Sequence, residues 1–301
     1  MKNAILFFLF GLFVSPLFSH SPLTEGFSIG NPEIGSISAL TFGPEGILFV
    51  GDSENAQVVA IDMGNAKKAV NDLGSDSDQI QIMDLAVNPL NQNVYIGAQH
   101  SSGKSMLFLV NNNSLEPVPM ESVSFSKANV VNAVTTDTKD RRGRSLRRWA
   151  ISDLRYSDGQ LMFSGLNNAE FSSTFRSMSF PFSKEEAHSS LEIYHAAHGK
   201  YETFAPIKAF TTATINGKPH LVAGYTCTPL VIFPMDQLES GKHVKGRTVA
   251  ELGNWNTPLD MIEMEKEGDR YILIANSSRA LMKIKVSDIE AFGDSLTEPV
   301  T

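Results

Sequence analysis

An all-β fold, and within that class a β-propeller, is what the sequence predicts. Three observations predict it: a three-strand unit that recurs five times, a small residue at one fixed point of each unit, and no long amphipathic helix. The first unit, "ISALTFGPEGILFVGDSENAQVVAID", ends at Asp62 and is the clearest. Gly43-Pro44 and Glu45-Gly46 punctuate it as turns, and β-branched residues fill the runs between. The same order recurs from Ile82, Ala150, Phe210 and Pro258.

The five units align on the residue closing the second strand: Gly51, Gly97, Gly165, Gly224 and Ala275. Their spacings are 46, 68, 59 and 51 residues, and a four-stranded blade takes about 40–50. The longer intervals leave room for insertions. "LEIYHAAHGKYETFAPI", Leu191 to Ile207, reads as an inserted hairpin turning at His198-Gly199. The expectation is five recognisable blades, in a ring of five to six that is either complete or open. After the third strand of the last unit only a short tail remains, so Phe27 to Gly35 is expected to supply its closing strand.

The chain has 301 residues and a net charge of −8, which disfavours a nucleic-acid partner. "MKNAILFFLFGLFVSPLFSH" has one Lys, an apolar run from Ala4 to Val14, then Pro16 and small residues. That is the pattern of a secretory signal peptide, and the run is short for a membrane span. The expected organisation is a signal peptide over 1–19 and one propeller domain over 20–301, secreted or periplasmic. With Cys227 the single cysteine, no disulfide forms within the chain.

Val50, Asp52, Asn55 and Val58 of the first unit fall on a repeat pattern of apolar strand, Gly turn, "lyVaD", "xxNxrV" and closing strand. In this the unit resembles the NHL and SMP-30-like propellers, and the resemblance fades over the other four. It implies the fold. Such propellers include lactonases, peptidyl-lyases, receptor modules and scaffolds, so it does not select a function.

In a propeller, the first strand of each blade lines a central channel. Ala39, Asp84, Asp153, Thr212 and Asp260 stand at matching places on those strands, and three of the five are carboxylates. The loops opening on the same face bring His100, Asn168, Cys227 and Arg279. Three carboxylates at one mouth repel unless a cation neutralises them or a carboxyl keeps its proton. Asp84, Asp153 and Asp260 are therefore the candidate ligand or metal residues, with calcium the ion such oxygens would take. The competing reading gives each Asp the duller task of satisfying backbone amides where its strand begins.

Other motifs weigh less. His188, Glu192 and His195 would share a helical face, but the alternation of this stretch is that of a strand, which sends His195 and His198 to opposite faces. "GAQHSSGKS" has five residues between its glycines where a phosphate loop has four, and it joins two strands. "KDRRGRSLRR", Lys139 to Arg148, is a basic loop, either simply solvated or docking an acidic partner. No catalytic motif is present. The expected function is an exported binding or scaffolding module that meets a ligand or protein partner at the channel mouth. The alternatives are a metal-dependent, lactonase-like hydrolase using the same acids, and a redox-associated propeller.

Overall fold

The computed structural model describes residues 22–64, 79–112, 114–183, 185–226 and 228–299, so the leader segment and Cys227 lie outside the described residues. A short strand β1 (Ser28–Gly30) leads into β2 (Ala39–Phe42), β3 (Ile47–Asp52) and β4 (Gln57–Asp62), the first three strands of blade 1. The chain then builds blade 2 in full: β5 (Ile80–Val87), β6 (Val94–His100), β7 (Ser105–Asn111) and β8 (Ser114–Pro117). Only afterwards does β9 (Val123–Asn129) return to lie beside β4 and complete blade 1. Blade 2 is thus inserted between the third and fourth strands of its neighbour.

Blade 3 follows with β10 (Asp153–Ser157), β11 (Gln160–Leu166), β12 (Ser173–Ser179), the long β13 (Glu186–His195) and β14 (Lys200–Glu202). Blade 4 consists of β15 (Ile207–Ile215), β16 (Lys218–Tyr225) and β17 (Pro229–Pro234), closed by β19 (Arg247–Glu251). On its way to β19 the chain lends β18 (His243–Lys245) to the edge of blade 3, parallel to β13. Blade 5 has three strands, β20 (Pro258–Lys266), β21 (Asp269–Asn276) and β22 (Met282–Lys285), then the helix α1 (Val286–Ala291). The N-terminal segment does not close this blade as expected. β1 pairs with β9 on the outside of blade 1. The five-bladed propeller is as the sequence implied; the position of blade 2 is not.

Cores between blades give the order around the ring. Leu40, Val50 and Ile61 of blade 1 pack on Tyr95 and Leu107 of blade 2. Phe49 and Val58 on its other side pack on Leu154 and Phe163 of blade 3. Phe175 and Leu191 meet Phe210 and Val231 between blades 3 and 4, and Val222 meets Met261 and Ile274 between blades 4 and 5. The order is 2-1-3-4-5. Each fully buried side chain of this kind contributes about 1.5–3 kcal/mol.

The aligned small residues now have a reason. A Cβ on Gly97 would sit 2.4 Å from Ile37, entering blade 1; on Gly51, 2.8 Å from Ile151, entering blade 3; on Gly224, 2.8 Å from Met261 of blade 5. The next inner strand presses on each. Ala275 keeps its methyl because its face of blade 5 has no next blade pressed against it. Among the described residues no buried cluster joins blade 5 to blade 2. Ile82, Leu85 and Val87 of β5 are 59%, 50% and 44% exposed, and Leu259 and Ile262 of β20 are 48% and 47% exposed. The ring has an open seam there.

Candidate functional site

Asp84, Asp153 and Asp260 lie on the inner strands of three different blades and line one cavity of about 350 Å³ with Leu40, Leu85 and Ile262. Their convergence is what the repeat implied. Each carboxylate also does local structural work. Asp84 accepts the Leu40 N–H of blade 1 at 2.7 Å and the Leu85 N–H at 2.8 Å. Asp153 accepts Phe210 N–H of blade 4 at 2.6 Å and Leu154 N–H at 2.8 Å. Asp260 takes the Met261 N–H at 2.7 Å and is itself exposed. Amide bonding and convergence are therefore both real, although only Asp153 stands where its strand begins.

Enclosure by protein raises the Asp153 carboxyl to about 8, with the charges of Asp84 and Asp260 adding to the rise. The Phe210 amide and Arg155 pull the other way. Burial likewise raises Asp84 to about 6, opposed by its two amides, with Asp260 raising it further and Lys208 lowering it. Arg155 is held over the same channel, donating to the Met261 carbonyl at 2.9 Å. Calcium needs six to eight oxygens. Here each oxygen of Asp84 and Asp153 already accepts a backbone N–H, which leaves fewer free oxygens than such a cage takes. This donor set does not fit a calcium cage.

The remaining candidates lie elsewhere. His100 ends β6 and bonds Ser102 Oγ at 2.8 Å, stiffening its own hairpin. Asn168 is an exposed loop residue. Arg279 donates to the Asn254 carbonyl at 3.1 Å, tying blade 5 to the loop before it. Thr212 pairs with Leu221, whereas the residue opposite Gly224 is Ala209. The fourth hairpin runs on to the tight Asn216-Gly217 turn, so a fixed offset overshoots. The three carboxylates come together; these four do not join them.

A second cluster sits at the outer rim of blades 3 and 4. After His195 the chain makes a 3-10 turn over Ala196–His198, reverses at Gly199 (φ 62) and returns as β14. That turn folds the rings of His195 and His198 to 4.0 Å between centroids, not onto opposite faces. One donor atom from each of His195, His198 and Glu202 lies within 4.8 Å of the others. Burial tends to raise the Glu202 carboxyl, but the two imidazoles outweigh it and hold it at about 2. Glu251, at the end of β19, points Oε1 to 4.0 Å from His195 Nε2 while Oε2 accepts Thr228 Oγ1. Alternation continued through the turn hides this cluster; the spacing of His195, His198 and Glu202 is its sequence signal.

No family model and no curated protein matches the chain. Among solved structures, Raptor of Chaetomium thermophilum matches at 13% identity over 88% of this chain and 21% of its own, with a TM-score of 0.33. The extracellular domain of a putative hybrid two component system from B. thetaiotaomicron matches at 12% over 90% and 36%, TM-score 0.33. Streptogramin B lyase matches at 10% over 86% of both chains, TM-score 0.35. The chain spans about a fifth and a third of the first two. Such low TM-scores carry no argument about function. Among the described residues no helix is long and apolar enough to cross a membrane.

Proposed function

We propose that the protein is an exported binding module that captures an extended segment of a partner protein in the seam between blades 2 and 5. Aliphatic side chains of the partner lie on the blade 2 face, where Leu85 stands opposite Ile96 and Val87 opposite Val94. A Lys or Arg of the same segment reaches Asp84, Asp153 and Asp260. The observation that carries this reading is adjacency: Leu85, Ile262 and all three carboxylates line one cavity.

The physics favours a cationic visitor. Poorly hydrated carboxyls that repel one another are stabilised when a positive side chain joins them, and exposed aliphatic area on both lips adds apolar contact. The recognition is charge-selective, so it weakens with salt.

Selection from a random displayed-peptide library on the purified protein tests this. The expected winners combine aliphatic residues with Lys or Arg, and both Asp260→Asn and Leu85→Ser weaken them at least tenfold. No enrichment, or winners whose affinity neither substitution changes, overturns the reading.

A further inference from the structure

The outer rim of blades 3 and 4 holds a site of a different chemistry. His195 is 2% exposed, and neither ring nitrogen has a hydrogen-bond partner. Glu251 Oε1 is buried without a partner as well. Leaving such groups buried and unpaired is costly, so a native fold rarely keeps them without an occupant.

The distances say what kind of occupant. His195 Nδ1 lies 3.7 Å from Glu202 Oε2, and His195 Nε2 lies 4.0 Å from Glu251 Oε1. Both gaps are too long for hydrogen bonds. The first is close to the separation of two ligands sharing one ion, since bonds of about 2.0–2.2 Å at tetrahedral angles hold donors roughly 3.4 Å apart; the second sets Glu251 against the ring nitrogen that does not take the ion. The cluster already contains one ordinary pair, His198 Nδ1 with Glu202 Oε1 at 2.7 Å, and Lys200 Nζ approaches that same oxygen at 3.9 Å. Neither contact engages the nitrogens of His195.

We propose that His195, His198 and Glu202, assisted by Glu251, bind one divalent transition-metal ion of the zinc class. Two imidazoles and a carboxylate are donors that suit zinc and not calcium or magnesium, which take oxygen. Thr228, donating to Glu251, orients that carboxylate in the manner of an outer-shell partner. The ion is reached from a cavity of about 540 Å³ lined by His195, His198, Thr226, Thr228 and Trp255. Trp255 stands 96% exposed at its edge, on a backbone with φ 60. A coordination position open to this cavity takes water or a small anionic ligand.

The test is zinc titration of the chelator-treated, dialysed protein by calorimetry, with cobalt as a spectroscopic stand-in. The expected result is one equivalent of zinc at micromolar affinity or better, and the visible bands of four- or five-coordinate cobalt. His198 is half exposed, so His198→Ala should keep the fold, checked by circular dichroism, and weaken zinc at least tenfold. Glu202→Gln should do the same, and His220→Ala, away from the cluster, should change nothing. Absence of a stoichiometric site, or equal affinity in wild type and His198→Ala, overturns the proposal.

Discussion

Asp153 of blade 3 accepts the backbone N–H of Phe210 in blade 4 at 2.6 Å, while its own charge is opposed by Asp84 and Asp260 across the channel. One carboxyl thus joins two blades while burial and its neighbours favour its protonated form. With the folded value near 8 and the ordinary value at 3.8, the folded protein binds this proton more tightly than the unfolded chain. Stability should therefore fall as pH rises from about 4 through about 8, by on the order of 2 kcal/mol or more. Thermal melts between pH 5 and 8.5 should show this slope in the wild type and a flattened one in Asp153→Asn. Equal slopes would remove the buried proton from the account.

The return of β9 to blade 1 is fastened to blade 3 by a buried ion pair. Glu186 takes the Val131 N–H at 3.0 Å, Arg176 donates to the Val131 carbonyl at 2.7 Å, and the two side chains pair with each other. Arg176 is 0% and Glu186 4% exposed. Removing one partner of such a pair costs about 3–5 kcal/mol, whereas an apolar pair of similar volume is often tolerated. Glu186→Ala should lower urea stability by that amount, and Arg176→Met with Glu186→Leu should recover most of it. A Glu186→Ala loss below about 1 kcal/mol would contradict this.

Gly165 is held against backbone. A Cβ there would lie 2.1 Å from the Ala150 carbonyl oxygen. Since main chain cannot swing aside as a flexible side chain does, Gly165→Ala should cost about 3 kcal/mol or more. Ala275→Gly, facing the seam, should cost only the backbone entropy of about 1 kcal/mol. Equilibrium unfolding of the two variants decides whether the small residue of the repeat is a packing requirement.

The basic loop is anchored by one arginine. Arg147 donates to the Val134 carbonyl at 2.7 Å and to the Glu54 carbonyl at 3.2 Å, while Arg144 pairs with Asp140 inside the loop. Charged donors to carbonyls contribute about 1.5–3 kcal/mol each where enclosed and less at the surface. Arg147→Ala should raise the rate of limited tryptic cleavage over 139–148 several-fold with little change in melting temperature. An unchanged cleavage rate would contradict the anchoring role.

Much of this fold can be read in the chain because turn residues and two-residue alternation mark each strand, and the small residues at Gly51, Gly97 and Gly224 mark where neighbours press. The insertion of blade 2 leaves no such mark, since "VSFSKAN" looks the same whichever blade it completes. The seam is equally silent: Leu85 and Val87 have the composition of buried strand residues, and only the ring order exposes them. Asp84, Asp153 and Asp260 could be placed because each lies on the inner strand of its blade, with Asp84 opposite Gly97 and Asp260 opposite Ala275, the small residues of the repeat. Thr212 could not, because hairpin length varies and a constant offset then lands on the wrong register. The pairing of His195 with His198 depends on one 3-10 turn that alternation cannot foresee.

Carboxyl carbon NMR of Asp84 and Asp153 across pH, with and without a saturating Lys- or Arg-bearing peptide from the library, reads whether the channel carboxyls meet a cationic side chain. Midpoints should lie near 6 for Asp84 and near 8 for Asp153 in the free protein, both falling by about a unit or more when the peptide binds. Free-protein midpoints near the ordinary carboxylate value, or midpoints that a bound basic peptide leaves unmoved, would contradict this reading.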